Sequence, residues 1–128
     1  MKTMVEILKD FGDLVSLSPV SEEEIERAEE RLSLKFAAEY REYLAEFGAA
    51  AAGGHEFTGI VKSERLNVVS VTLREWGLNP EISRNMYVVE NVGIDGVVVW
   101  QEESGQVFRS VIGGEIEVIA AGLAEWLV

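Results

Sequence analysis

The stretch Tyr87–Val111, YVVENVGIDGVVVWQEESGQVFRSV, decides the fold class. Tyr87–Glu90 and Val97–Trp100 are short, rich in β-branched residues and bounded by turn residues, so both predict buried strands. Gln106–Val111 alternates in the manner of a further strand, and Glu103-Ser104-Gly105 predicts the hairpin turn before it. Strands joined by such short turns indicate an antiparallel-leaning sheet.

Before this stretch, residues 1–48 predict three helices. The first carries an apolar stripe that ends near Gly12. The second begins at Ser21, which is expected to cap it with Glu24 at the capping-box position. The third ends at Gly48, and its charged positions are mostly expected to face solvent: Glu39, Arg41, Glu42 and Glu46.

The remaining segments are less strongly patterned. Gly48–Gly54 predicts a mobile loop because glycines flank a run of alanines without amphipathic spacing. Glu56–Val61 favours a strand, and Val68–Val71 leaves open either a strand or the start of a helix. Glu115–Val118 predicts a short edge-like strand, and apolar positions in 119–127 predict a closing helix.

Helices first, then hairpin-connected strands, then a terminal helix indicate the α+β class. We expect a mixed, mostly antiparallel sheet wrapped by N-terminal helices and a C-terminal helix. The sequence shows no internal repeat, linker or low-complexity tail, so residues 1–128 are expected to form one domain.

Composition restricts the classes of partner. The 128 residues hold 11 Lys and Arg against 23 Asp and Glu, a formal net charge of −12, and the charge is spread along the chain. Such a surface repels nucleic-acid phosphates and anionic lipid, and it attracts a basic protein. The chain has no cysteine, no signal-like segment and no stretch long enough to span a bilayer, which predicts a cytoplasmic protein.

No motif for catalysis, metal binding or cofactor binding is present in the sequence. His55 is the only histidine, so a two-histidine metal site is excluded. A triad of Ser104, His55 and Asp95 is formally possible, but the G-x-S-x-G elbow is absent and Ser104 fits a hairpin turn. Phosphate loops and an EF-hand are also missing. We therefore expect neither catalysis nor a cofactor.

Three stretches, taken in order, resemble the SUKH superfamily, which includes bacterial toxin-immunity proteins and fungal cell-wall-synthesis regulators. They are Ser21–Leu32 with Leu34-Lys35-Phe36 and Tyr40–Gly48, then Val69–Trp76 with Met86–Asn91, and then Gly96–Trp100 with Ser104–Phe108. The resemblance covers residues 20–127, and residues 1–19 add a helix and a linker. Ser33 replaces the usual glycine, and Ala37 replaces the usual proline, so the third helix is expected to begin less rigidly. Trp100 and the Gln101–Glu103 turn depart from the family's aspartate-bearing segment.

The resemblance implies a domain that recognises a protein partner without catalysis. Bacterial members bind secreted polymorphic toxins, often nucleases or deaminases, and a basic toxin would suit the acidic chain. A general regulatory or scaffold domain of the same fold is the alternative, and an enzyme or small-ligand binder that uses sheet carboxylates is a third reading. The partner-binding residues expected here are acidic positions around the sheet and two aromatic anchors: Glu56, Glu90, Asp95, Glu102 and Glu103, with Trp76 and Trp100. An ordinary structural role is equally open for each of them, as a solvated loop acid or a core tryptophan.

Overall fold

The computed structural model describes residues 2–94, 96–112 and 114–128. Within these residues, five helices and seven strands confirm the α+β class. The helices are α1 (Met4–Asp10), α2 (Glu22–Leu32), α3 (Ala38–Phe47), α4 (Val68–Leu78) and α5 (Leu123–Leu127). The strands are β1 (Val15–Ser16), β2 (Ala50–Ala52), β3 (His55–Glu56), β4 (Tyr87–Asn91), β5 (Val98–Gln101), β6 (Val107–Ser110) and β7 (Glu117–Ala120).

The strands form two antiparallel sheets, where the sequence predicted one. One sheet has the order β1-β2-β3, and the other has the order β4-β5-β6-β7. The second sheet is the predicted hairpin run, with β7 as its edge and with bulges in the β4–β5 and β6–β7 pairs. Among the described residues, parallel pairing occurs at an isolated bridge between Gly59 and Asn67.

A side-chain cap marks the start of α2, and residues with positive φ mark the ends of α2 and α3. The Ser21 side chain accepts a hydrogen bond from the backbone N–H of Glu24 at 3.2 Å, and α3 ends at Gly48 with φ at +72°. Ser33 ends α2 with φ at +54°, the left-handed conformation that glycine adopts more easily. Ala37 precedes α3 with φ at −62°, the value to which a proline would be fixed.

The hydrogen bonding of Ala37 corrects the expectation that α3 begins loosely. Its backbone N–H donates to the Tyr87 hydroxyl at 2.9 Å, a bond that proline cannot make. The Tyr87 hydroxyl in turn donates to Gln101 Oε1 at 2.7 Å. This hydrogen bond to Tyr87 of the four-stranded sheet therefore fixes the start of α3, which a proline ring at position 37 would fix by its rigidity.

Two segments differ from their predicted structure. The expected mobile loop contains β2, which lies between β1 and β3 with Ala50 and Ala52 buried. Strand preference depends on the surroundings, and here the Tyr43 hydroxyl accepts the Ala50 N–H at 2.9 Å. Val68–Val71 starts a helix because the Asn67 side chain caps the Val69 and Ser70 N–H groups.

The ends of other elements also shift. Strand β3 is shorter than predicted, β7 begins two residues later than expected, and Ile119 belongs to β7 and not to the closing helix. Helix α1 packs against α3 and α5. Its buried residues Met4 and Leu8 belong to the same core as the sheet residues, so the N-terminal segment is part of one packed structure with the family-like region.

The core is organised around the chain's three tyrosines, Tyr40, Tyr43 and Tyr87, which are fully buried. The Tyr40 hydroxyl bonds Thr58 Oγ1 at 2.7 Å, and the Tyr43 hydroxyl donates to the Thr58 carbonyl at 2.8 Å. Burial raises the pKa of all three phenols above the ordinary value. In the described part of the chain, every buried side-chain nitrogen and oxygen atom has a hydrogen-bond partner.

Candidate partner-binding surface

Two of the predicted contact residues share the turn between β5 and β6. Glu102 and Glu103 line an open depression of about 410 Å³ beside Leu34, Lys35 and Asn85. Ser104 donates its hydroxyl to Glu102 Oε1 at 2.8 Å, which holds the turn. Lys35 is the only base among the described residues that line this depression. The turn therefore presents negative charge on a surface formed by three separate segments.

Glu56 and Glu90 lie together at a second place, but only Glu56 is exposed. Glu56 pairs with Arg65, with Nη1 to Oε1 at 2.5 Å, and the bonded guanidinium lowers the pKa of the Glu56 carboxyl. Glu90 is buried, where the sequence predicted exposure. Its carboxylate accepts the backbone N–H of Glu56 at 2.9 Å and lies 3.0 Å from His55 Nδ1. Glu90 therefore fixes β3 against β4 and offers no free carboxylate to a partner.

The two tryptophans expected as anchors are interior residues. Trp100 is 0 % exposed, and its indole N–H donates to Ser110 Oγ at 2.8 Å. Trp76 is 8 % exposed, donates to the Met86 carbonyl at 3.0 Å, and lies under the Arg84 guanidinium. Both are therefore core tryptophans, the alternative that the sequence left open, and neither is exposed as an anchor. Asp95 lies outside the described residues.

The polar side chains considered for catalysis have internal partners. His55 contacts Glu90 and packs between Phe57 and Trp126, with ring centroids 5.4 and 4.9 Å away. Ser104 bonds Glu102 within its own turn. Within residues 2–94, 96–112 and 114–128, no group of three or more His, Asp or Glu side chains is arranged to hold a metal ion. In those same ranges, no helix has the length and apolar character needed to cross a membrane.

The sequence reasoning missed a concentration of exposed apolar side chains at the opposite end of the four-stranded sheet. There the turn after α4 and the β6–β7 connection enclose an open groove of about 660 Å³, called the sheet-end groove below. Its lining includes Leu78, Glu81, Ile82, Val111, Glu115 and Ile116. A signal was present in the sequence, because Val92, Ile94 and Ile112 are large aliphatic residues within turn segments.

These features define an α+β domain whose carboxylates lie mainly on the surface and whose interior polar groups are engaged with one another. A family model described as SMI1-KNR4 cell-wall (SUKH_5) matches residues 1–128, the whole chain. The chain belongs to this family within the SUKH superfamily. The match extends through residues 1–19, beyond the region in which the resemblance was noted. A search of curated proteins found no match.

Proposed function

We propose that the chain is a non-catalytic protein-binding domain that acts in the cytoplasm and neutralises a nuclease- or deaminase-type toxin by direct binding. Family membership supports recognition of a protein, since bacterial members of the superfamily neutralise toxins. The observation that carries the proposal is the exposed negative charge. A toxin that cleaves or modifies nucleic acid needs a basic cleft for phosphates, and an acidic protein is complementary to such a cleft.

The acid excess is available at the surface. Within the described residues, several exposed glutamates form no ion pair with a described base: Glu24, Glu26, Glu30, Glu42, Glu64, Glu81, Glu103, Glu115 and Glu125. They occur on helices and loops around the molecule, so the negative potential surrounds it. Such a potential increases the rate of encounter with a basic partner and is screened by salt.

Glu102 and Glu103 are proposed as contacts, with Glu56 as a further acidic position. The double change E102Q/E103Q removes two charges without altering the turn's length. We expect it to slow association with the toxin several-fold at low salt, and less at high salt. The control E24Q/E26Q removes the same charge from α2. Equal effects from both variants would mean that only net charge matters, and the β5–β6 turn would no longer be a contact.

Growth rescue tests the proposal directly. The chain is co-expressed with each toxin-like product encoded beside its gene, and growth and co-purification are measured. We expect one of these products to arrest growth alone, to bind the chain and to lose toxicity in its presence. Absence of rescue by any of them, or rescue without a complex, would contradict toxin neutralisation.

A regulatory or scaffold role is the second candidate. The family description, SMI1-KNR4 cell-wall, favours it, because that description concerns the cell wall and not a toxin. A strain that lacks the chain would then show a defect under cell-wall stress in the absence of any toxin. Such a defect, together with failed rescue, would replace immunity with regulation.

A further inference from the structure

The sheet-end groove lies among exposed apolar side chains that the fold leaves uncovered. Seven of them surround this end of the four-stranded sheet: Leu78, Val92, Ile94, Val111, Ile112, Ile116 and Val118. Leu78 is 60 %, Ile112 63 % and Val118 57 % exposed. Single exposed apolar residues are ordinary, but a contiguous group of them marks an interaction site.

Strand register brings these residues to one end of the molecule. Asn91, Val98 and Ser110 lie in one row across β4, β5 and β6, so the β4–β5 and β6–β7 connections leave the sheet at the same end. The two connections touch, because a Cβ placed on Gly96 would fall 2.5 Å from Ile112 Cγ1.

Strand β7 adds a further exposed apolar residue beside the groove. Val118 follows the groove-lining Ile116 by two residues and is 57 % exposed. Val118 is also the cross-strand partner of Phe108. Because β7 is the edge of its sheet, Val118 lies at the border of the four-stranded sheet and adds apolar surface there.

Charge identifies the occupant that the groove fits. Glu81 and Glu115 line it, and none of its described lining residues is basic. Nearby bases are engaged elsewhere: Arg109 pairs with Glu117, and Arg84 lies over the Trp76 ring. An apolar floor with an acidic border complements apolar side chains that are flanked by lysine or arginine.

We propose that the sheet-end groove binds a segment of the partner protein in which apolar residues are flanked by lysine or arginine. This proposal rests on the protein-binding function proposed above and names the surface that carries the apolar part of the contact. The groove and the Glu102–Glu103 turn lie at opposite ends of strands of four or five residues, about 13–17 Å in length. A single interface of ordinary size covers that span.

A second copy of this chain is a poorer occupant. Its own groove would bring another Glu81 and Glu115 against the first pair, and both chains carry a net charge of −12. Like charges placed opposite each other oppose association. The same charges act against nucleic acid and anionic lipid.

The test uses a blocked synthetic peptide of alternating lysine and leucine, titrated into the isotope-labelled full chain and followed by backbone amide NMR shifts. A lysine–serine peptide and a glutamate–leucine peptide separate the charge effect from the apolar effect. We expect shifts in residues 78–82 and 110–118 with the first peptide, and much weaker binding of the other two.

The variant L78Q/V118T removes two apolar groups from exposed positions, where substitutions leave stability nearly unchanged. Its matched control is V15T/L17Q, since Val15 on β1 and Leu17 just after it are 63 % and 54 % exposed. We expect L78Q/V118T to weaken peptide binding at least about tenfold and the control to leave it unchanged. Unaltered binding by L78Q/V118T, or shifts centred on β1, would overturn the proposal. A wild-type dimer that this variant converts to monomer would also overturn it by assigning the groove to a second copy.

Growth rescue distinguishes this proposal from the function on which it rests. If the wild-type chain rescues growth and L78Q/V118T does so equally well, the groove assignment fails and toxin neutralisation stands. If no product is neutralised but the peptide maps to the groove, neutralisation fails while binding of an apolar and basic segment stands.

Discussion

Glu39 connects three parts of the fold, and its removal is expected to release the C-terminal helix. It projects from α3 and accepts hydrogen bonds from the Leu123 N–H at 2.5 Å and the Ala124 N–H at 3.3 Å. It also accepts the Gln101 side-chain amide at 2.7 Å. Gly122 precedes α5 and has no side chain with which to cap it, so the Glu39 carboxylate supplies the cap.

The expected cost of Glu39→Ala follows from these bonds. Loss of a helix N-cap costs about 1 kcal/mol, and net contributions of hydrogen bonds to a charged group are about 1.5–3 kcal/mol. The fully buried Gln101 keeps a bond from its amide to the Gly105 carbonyl at 2.9 Å, which reduces the penalty there. We expect the free energy of unfolding to fall by about 2–3 kcal/mol in Glu39→Ala, and by roughly half of that in Glu39→Gln, whose amide oxygen still accepts.

Urea denaturation measures the loss, and amide hydrogen exchange locates it. Exchange in residues 121–127 is expected to accelerate first, since α5 is short and is held by Glu39 and by burial of Leu123. Glu42→Ala is the control, because Glu42 is an exposed carboxylate on the same helix. If the two alanine variants lose equal stability within about 0.5 kcal/mol, the capping argument is refuted.

Three further predictions concern the interior and the backbone. Tyrosinate absorbance should not develop near pH 10 while the chain is folded, because burial raises the pKa of its three tyrosines above the unfolded value. The free energy of unfolding should therefore be unaffected by these groups below about pH 10 and should fall by up to about 4 kcal/mol per pH unit above it, which denaturation at a series of pH values measures. Tyrosine ionisation near pH 10 in the folded chain would disprove this prediction. Ser33→Gly should raise the free energy of unfolding by about 0.5–1 kcal/mol and so raise the urea midpoint, because glycine adopts the left-handed backbone conformation of residue 33 without the steric cost that serine has. An unchanged midpoint would contradict this prediction. Gly59→Ala should cost about 2–3 kcal/mol in the same assay, because its added Cβ would fall 2.0 Å from the Gly48 carbonyl oxygen. The control Gly12→Ala should be nearly neutral, because no described atom lies within 4 Å of its added Cβ. Similar stabilities for the two variants would refute the clash.

Local signals predicted the parts of the fold that local interactions determine. Ser21 and Gly48 mark a helix start and a helix end, and the hairpin pattern predicted β4, β5 and β6 in order. The sequence left Val68–Val71 open between a strand and the start of a helix, because valines suit a strand, and the Asn67 cap in the structure decides for the helix. Capping and short-range periodicity act over a few residues, which is why the sequence contains them in readable form.

The missed features depend on residues far apart in the chain. The alanines of β2 form a strand because Tyr43 and two neighbouring strands accept and donate to their backbone. Glu39 belongs to the polar positions of its helix by spacing, yet its partners lie more than 60 residues away in sequence. Trp100 is 0 % exposed because it belongs to a core that also contains residues of the first four helices. None of these contacts has a signature within a short window.

The candidate surface also has a part that local sequence indicates and a part that only the fold reveals. Acidic residues in a predicted turn indicated the Glu102–Glu103 site, since turns lie at the surface. The sheet-end groove combines the end of α4 and its following turn with the β6–β7 connection, segments about 30 residues apart that meet only in the folded chain. Composition alone therefore supports the proposal of a basic partner, whereas the proposed position of an apolar contact required the fold.

The carboxylates fall into two groups with opposite effects on stability. Glu29, Glu39 and Glu90 accept backbone N–H groups inside the fold, so neutralising them removes bonds and costs stability. Most of the exposed glutamates without an ion pair, such as Glu42, Glu64 and Glu103, accept no described backbone N–H, and neutralising them reduces the self-repulsion of a chain with a net charge of −12. Glu125 is an exception, because its carboxylate accepts the Ala121 N–H at 3.0 Å. Glutamine at the other exposed positions should therefore preserve or raise stability. Any binding that such variants lose must then come from the partner contact, because the fold has lost nothing.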